Sequence, residues 1–266
     1  MTLGPAILFC PGNRPDRFAK AAMAADAVIL DLEDGVAPRD KQAARAAVAA
    51  SDLDPDRTIV RVNGASTEDF VRDLEAVAAS SFRTIMLAKA ERPADLEALA
   101  DYRVIPICET PLGVENAFVL AEHNSVIALM WGAEDLIAAL GGSSSRAPDG
   151  RYRDVARYAR ARVLVAAAAA DKHAYDAVHL EIADLAGLRD EAADAAASGF
   201  VATACIHPSQ VETVREAYRP SAEAVALAER VLAAATSSPG VFAFEGRMVD
   251  EPVLRQARRI LGDLRA

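Results

Sequence analysis

Short apolar runs rich in β-branched residues recur along the chain, at 6–10, 27–32, 58–62, 84–88, 104–108, 126–131, 177–182 and 200–206. They are continuously apolar rather than cleanly alternating, which is the pattern of strands buried on both faces. Between them apolar positions take helical spacing, at 15–25, 40–50, 67–80, 93–100, 114–122, 134–140, 154–171 and 188–198. This alternation predicts a compact α/β fold, the (β/α)8 TIM barrel, with its active site at the carboxyl ends of the strands. An open doubly wound sheet is the competitor. It usually carries a GxGxxG turn after its first strand, and Cys10-Pro11-Gly12-Asn13-Arg14-Pro15 is not one.

After His207 the alternation stops. Helical stretches at 209–218 and 221–235 lead into a turn signal, Ser237-Ser238-Pro239-Gly240, then a hairpin-like run at 241–250 and a last helix from Glu251. The expected division is therefore a barrel catalytic domain over 1–218 and a C-terminal helical and hairpin extension over 219–266. A lid over a barrel mouth, its own or a neighbour's, is the natural place for such an extension.

Charge narrows the partners. A net charge of −10 disfavours nucleic acid, whose phosphates need a basic face, and the low aromatic content of 5% gives no stacking platform for single strands. An anionic small ligand is still accommodated if Arg and Lys gather at one site. The longest apolar windows are too short to span a bilayer, and Met1-Thr2-Leu3-Gly4-Pro5 does not read as a signal peptide. Cys10, Cys108 and Cys205 are odd in number, lack CxxC spacing and fall in or beside apolar runs, so buried thiols in a cytoplasmic enzyme are expected.

The candidate chemistry lies where the apolar runs stop. They end at Asp31, Glu33 and Asp34, at Arg61, at Glu109, and at Glu134 and Asp135. If Glu109 and one of the last two acids face the same mouth, carboxylates ~4 Å apart repel by roughly 4 kcal/mol at an effective dielectric near 20. A shared divalent cation removes that cost, and two carboxylates with water and substrate oxygens are how Mg2+ is usually held. Two unrelated acids capping helices is the plainer alternative, and Glu134 competes with Asp135 for the inward direction. Arg61 beside a metal would bind a carboxylate or neutralise an enolate oxygen, or simply pair with a nearby acid. Glu33 and Asp34 are placed to orient Arg61 or hold metal-bound water, although Asp34-Gly35 also reads as a turn. Arg14, Arg17 and Lys20 around a helix start suggest a phosphate site or an ordinary solvated face. The loop at 141–146 lacks the GK[ST] of a P-loop, and His207 is left open between base and loop contact.

Seven segments in order resemble one family. Leu8-Phe9-Cys10-Pro11-Gly12-Asn13-Arg14-Pro15, Ile29-Leu30-Asp31-Leu32-Glu33-Asp34, Arg61-Val62-Asn63, Ile105-Pro106-Ile107-Cys108-Glu109-Thr110, Gly132-Ala133-Glu134-Asp135-Leu136, Cys205-Ile206-His207-Pro208-Ser209-Gln210 and Gly246-Arg247-Met248-Val249-Asp250 are similar to signatures of the citrate lyase β-subunit-like branch of the HpcH/HpaI aldolase superfamily. The likeness is strongest to stand-alone β-hydroxyacyl-CoA lyases of that branch, which share the 141–146 loop and Arg151-Tyr152-Arg153-Asp154. The resemblance implies a homotrimer of barrels acting on CoA thioesters with Mg2+. It implies that Glu109 and Asp135 ligate the metal and that Arg61 contacts substrate. It further implies that Phe9, Arg14 and Lys20 help hold CoA, and that Asp250 reaches a neighbouring subunit's active site. One departure is Leu87-Ala88-Lys89, where relatives commonly have Leu-Pro-Lys; Lys89 is kept.

The expected reaction is reversible carbon–carbon cleavage of a β-hydroxyacyl-CoA such as citramalyl-CoA or malyl-CoA, giving acetyl-CoA and a keto acid through a thioester enolate. Arg61, Asp250 and Glu33 are the expected catalytic residues, with Asp34 and Lys89 supporting them. Three alternatives stay open. They are a malate-synthase-like or thioesterase activity, a citrate lyase subunit using a carrier-bound thioester, and a non-enzymatic CoA-binding barrel.

Overall fold

The computed structural model describes residues 3–237 and 240–263; Ser238 and Pro239 of the predicted turn lie outside the described residues. Eight strands close in sequence order into a parallel barrel: β1 (Ala6–Pro11), β2 (Ala27–Asp31), β3 (Thr58–Val62), β4 (Thr84–Leu87), β5 (Arg103–Cys108), β6 (Ala128–Trp131), β7 (His173–Asp176) and β8 (Ala202–Cys205). β1 pairs with both β2 and β8, which completes the ring and leaves no open edge.

The pleat assigns each side chain to the lumen or to the helices, with a period of two. Ile7, Ile29, Ile59, Met86, Ile105, Ile107, Met130 and Tyr175 pack together in one buried cluster with small residues such as Ala27, Ala128, Ala202 and Ala204. The intervening positions, among them Val28, Leu30, Val60 and Ile85, are also fully buried. Both faces are therefore apolar, which is why the runs do not alternate in sequence. Two residues beyond Ile29 and Ile59 along their strands come Asp31 and Arg61, and two beyond Ile107 comes Glu109. The same pleat that fills the barrel thus delivers charge to its carboxyl end.

The surrounding helices begin and end on local signals. Pro15 opens the helix Pro15–Ala24, and Thr67 caps Glu68–Ala78 by accepting from the Phe70 N–H. Gly199, at φ 112°, ends Leu185–Ser198 in the left-handed region. Among the described residues no helix is long and apolar enough to cross a membrane.

One expectation is corrected. The seventh strand is His173–Asp176, not 177–182. Polar His173 and Asp176 bracket only two apolar residues, so the run gives little strand signal. The apolar–polar alternation at 177–182 instead belongs to an irregular exit loop, where Leu180 and Ile182 are exposed. Val126, expected within strand six, makes only an isolated bridge to Val104.

The chain divides into two compact units, the first ending at Arg215 and the second beginning at Glu216, within the helix Val211–Tyr218. In the second unit the helices Ala222–Ala235 and Glu251–Asp263 bury Ala228, Val231, Leu254 and Ala257 together with Val249. Strands β9 (Phe242–Phe244) and β10 (Arg247–Val249) form a hairpin. Its turn residues Glu245 and Gly246 both have positive φ, as a tight two-residue hairpin requires.

A buried polar network anchors the exits of β2 and β3. The Lys41 ammonium donates to the carbonyls of Leu32 and Glu33 and to Asn63 Oδ1, at 2.8–3.1 Å. Asn63 in turn donates to Asp73 Oδ2, and Asp73, 0% exposed, accepts from Arg45 Nε at 2.7 Å. Removing one partner from such a network orphans the rest. Asp73→Ala should therefore cost about 3–5 kcal/mol in chemical denaturation, far more than an exposed ion pair.

Candidate active site

The barrel mouth encloses a cavity of about 310 Å³. Asp31, Arg61, Glu109, Glu134 and Asp135 line its charged side, and Phe9, Ile107, Met130, Trp131, Val178 and Ile206 its apolar side.

Arg61 is held on three sides. Its Nε and Nη2 donate to the two oxygens of Asp31, each at 2.7 Å, a bidentate fork. Nη1 lies 3.2 Å from Glu33 Oε2, and the guanidinium sits 4.8 Å from the centre of the Phe9 ring. Burial alone would pull the Arg61 pKa down; the Asp31 hydrogen bonds, with Glu33 and Glu109 nearby, more than reverse this. Asp31 also accepts from the N–H groups of Glu33 and Gly35. A Cβ on Gly35 would lie 2.3 Å from Asp31 Oδ2, so any side chain there has to displace the carboxylate that holds Arg61.

Glu109 follows β5 and is only 3% exposed. Its Oε1 accepts from the Lys89 N–H at 3.0 Å, and its other oxygen packs over Gly132, where a Cβ would approach to 2.6 Å. Burial, and then the neighbouring Asp135 carboxylate, push the Glu109 pKa up to about 8. The two adjacent acids in the first turn of the helix Ala133–Ala139 separate: Glu134 accepts from Ser145 Oγ at 2.6 Å, whereas Asp135 lies 3.1 Å from the Lys89 ammonium. Lys89 also reaches Glu33 and Asp34. Burial raises the Glu33 pKa against the pull of Arg61 and Lys89.

Phe9, Glu33, Asp34, Arg61, Lys89, Glu109 and Asp135 are thus brought together. Arg14 stands instead just before the helix Pro15–Ala24, paired with Asp16 at 2.8 Å, and Lys20 lies exposed on that helix. Asp250 belongs to the second unit, where it accepts from the Val253 N–H at 3.3 Å. His207 makes a loop contact with Ser209 at 2.8 Å. Asp31, Ser145 and Trp131 were not assigned roles from sequence. Asp31 was legible as the end of an apolar run, but Ser145 sits in a polar loop with no distinguishing signal.

The HpcH/HpaI aldolase/citrate lyase family matches residues 6–208. The chain belongs to that family. It is 57% identical to a citrate lyase subunit beta-like protein of Mycobacterium tuberculosis over 97% of this chain and 94% of the relative. It is 32% identical to the mitochondrial citramalyl-CoA lyase of Homo sapiens, over 95% of this chain and 83% of the relative. The crystal structure of CitE from Mycobacterium tuberculosis, in complex with magnesium, acetoacetate and coenzyme A, superposes with a TM-score of 0.97 at 56% identity. It covers 99% of this chain and 98% of that one.

The residues present suit a divalent cation. A buried carboxylate repelled by its neighbour gains most from one, and Glu109 and Asp135 are such a pair. Among the described residues no cluster of three or more His, Cys, Asp or Glu is arranged to hold a metal. A cation on these two acids would keep its other positions for water and substrate oxygens.

An acid whose pKa is raised by folding stays protonated where the unfolded carboxyl is ionised. Through Glu109 the metal-free fold therefore loses stability as pH climbs from the ordinary carboxylate range toward about 8. A cation entering there has to displace that proton. Mg2+ affinity measured by calorimetry should rise with pH and level off above about 8, with up to one proton released per ion below it. Glu109→Gln should remove the binding.

Proposed function

We propose that this lyase cleaves, reversibly, the carbon–carbon bond of a β-hydroxyacyl-CoA, releasing acetyl-CoA or a homologue and a keto acid, with Mg2+ as cofactor. The observation that carries the reading is Glu109 beside Asp135 and Arg61 at one barrel mouth. The relatives support it: one is a citramalyl-CoA lyase, and CitE binds magnesium, acetoacetate and coenzyme A.

Glu109 and Asp135 would hold the cation, which when bound supplies Lewis acidity to the substrate's hydroxyl and carbonyl oxygens. Arg61, already fixed by Asp31 and Glu33, would face the thioester oxygen as the electron pair of the breaking bond moves onto it. A guanidinium so fixed needs no reorientation when that charge develops. Glu33 and Asp34 act through Arg61 and Lys89 rather than on substrate. Phe9 offers an apolar face at the mouth, and Arg14 and Lys20 would meet the phosphates of CoA. As the keto acid forms, the substrate hydroxyl would lose its proton to solvent; Asp250, supplied by a neighbouring copy in a homotrimer, would protonate the enolate carbon and take that proton back in the condensing direction. The three buried free thiols suit a reducing cytoplasm.

The test is a panel of β-hydroxyacyl-CoA esters, with and without chelator, scoring acetyl-CoA, keto acid and free CoA separately. Chelator-sensitive acetyl-CoA and keto acid in equal amounts are expected. Free CoA with an intact hydroxy acid would show hydrolysis instead, and no turnover without a carrier protein would show a citrate lyase subunit. Asp250→Asn should lower kcat far more than it weakens thioester binding; unchanged turnover would remove Asp250 from the mechanism.

A further inference from the structure

Lys89 touches both candidate cation ligands, through different atoms. Its main-chain N–H donates to Glu109 Oε1 at 3.0 Å, and its ammonium lies 3.1 Å from Asp135 Oδ1. The same ammonium contacts Glu33 Oε1 and lies 3.2 Å from Asp34 Oδ2. An ammonium has three donors, and here it has three carboxylates. The other cation of the mouth, Arg61, is committed to Asp31 and Glu33. Lys89 also sits at φ 53°, a left-handed conformation that L residues adopt uncommonly. That conformation aims the amide at Glu109 while the side chain turns to Asp135.

We propose that Lys89 is a tethered counter-cation of the metal site: with no divalent ion bound, its ammonium keeps Asp135 and Glu33 in place beside Glu109, and an ion binding Asp135 must evict it from that carboxylate. The inference rests on the reading of Glu109 and Asp135 as the Mg2+ ligands. The two contacts of Lys89 then have separate consequences. The amide orients Glu109 whatever side chain residue 89 carries, provided the backbone keeps its positive φ. The ammonium competes with the incoming ion, so the intact chain holds Mg2+ less tightly than its carboxylates alone would. In exchange the empty site keeps its carboxylates gathered against their mutual repulsion, ready for the ion.

The experiment compares wild type, Lys89→Met, Lys89→Gly and Glu109→Gln as full chains. Mg2+ binding is followed by calorimetry and by the fluorescence of Trp131, the single tryptophan of the chain, which lines the cavity. Thermal unfolding is recorded in chelator and in saturating Mg2+. Glycine adopts positive φ freely, so Lys89→Gly removes the ammonium without backbone strain and serves if the Met variant fails to fold. Removing the positive charge that contacts Asp135, even screened as in bulk water, should tighten Mg2+ binding about tenfold in both variants. Both should unfold at lower temperature in chelator and recover much of the difference in Mg2+. Equal or weaker Mg2+ binding in the two variants overturns the proposal. If wild type binds Mg2+, Glu109→Gln does not, and residue 89 has no effect, this inference alone falls. If wild type binds no Mg2+, the cation-site reading falls and takes this inference with it.

Discussion

The carboxylates of Asp31, Glu33, Glu109 and Asp135 share one end of a closed barrel with Arg61 and Lys89, and holding them there is the constraint on which the site depends. Water would screen such a crowd; in a buried mouth each acid needs a cation or a hydrogen bond within reach. Asp31 shows how this is met. It takes the guanidinium of Arg61 with both oxygens and receives two backbone N–H groups on the same atoms. Glu109 receives a single N–H and faces Asp135, and its carboxyl is accordingly pushed up to about 8, while burial also raises Glu33 against the pull of Arg61 and Lys89. The arrangement is balanced except at the point where a cation fits.

That balance depends on rigid supports outside the mouth. Lys41, Asn63, Asp73 and Arg45 tie the exits of β2 and β3 to the helices behind them, so the main chain carrying Glu33 and Arg61 has little freedom. On the opposite wall Trp131 donates its indole N–H to Asp176 at 2.6 Å, and Arg160 clamps the same carboxylate. Tyr152 packs edge-on against Trp131 with its ring centre 5.3 Å away, and Arg146 stacks over Tyr152 while pairing with Glu191. The 141–153 loop is thereby fastened to the barrel wall. Glycine lets backbone and carboxylate come close at Gly35 against Asp31 and at Gly132 against Glu109, where an added Cβ would push the acid aside. The cavity is consequently two-sided, charged where an anion and a metal would meet and apolar along Ile107, Met130, Val178 and Ile206.

Much of this was legible beforehand because a double-faced barrel strand writes itself into sequence as an unbroken apolar run, and the charges that interrupt those runs mark the mouth. Glu33, Arg61, Glu109 and Asp135 were all found that way. The signal failed where a strand is short and polar at both ends, as at His173–Asp176, while the alternating stretch after it imitated a strand. It also failed to rank Glu134 against Asp135, neighbours of the same charge. Ser145 draws Glu134 aside and Lys89 lies against Asp135, and both partners come from other loops.

The sequence by itself determined the alternating architecture, the family and which charged residues stand at strand ends, since these follow from local periodicity and residue identity. Only the tertiary structure decided which charges meet. Asp31 and Arg61 are thirty residues apart in the chain yet opposite one another in the register of β2 and β3. Lys89 bridges Glu33 and Asp135 because closure of the ring brings the exits of β2, β4 and β6 to a common mouth. Pairing across strands depends on register and closure, and neither is a local property of the chain.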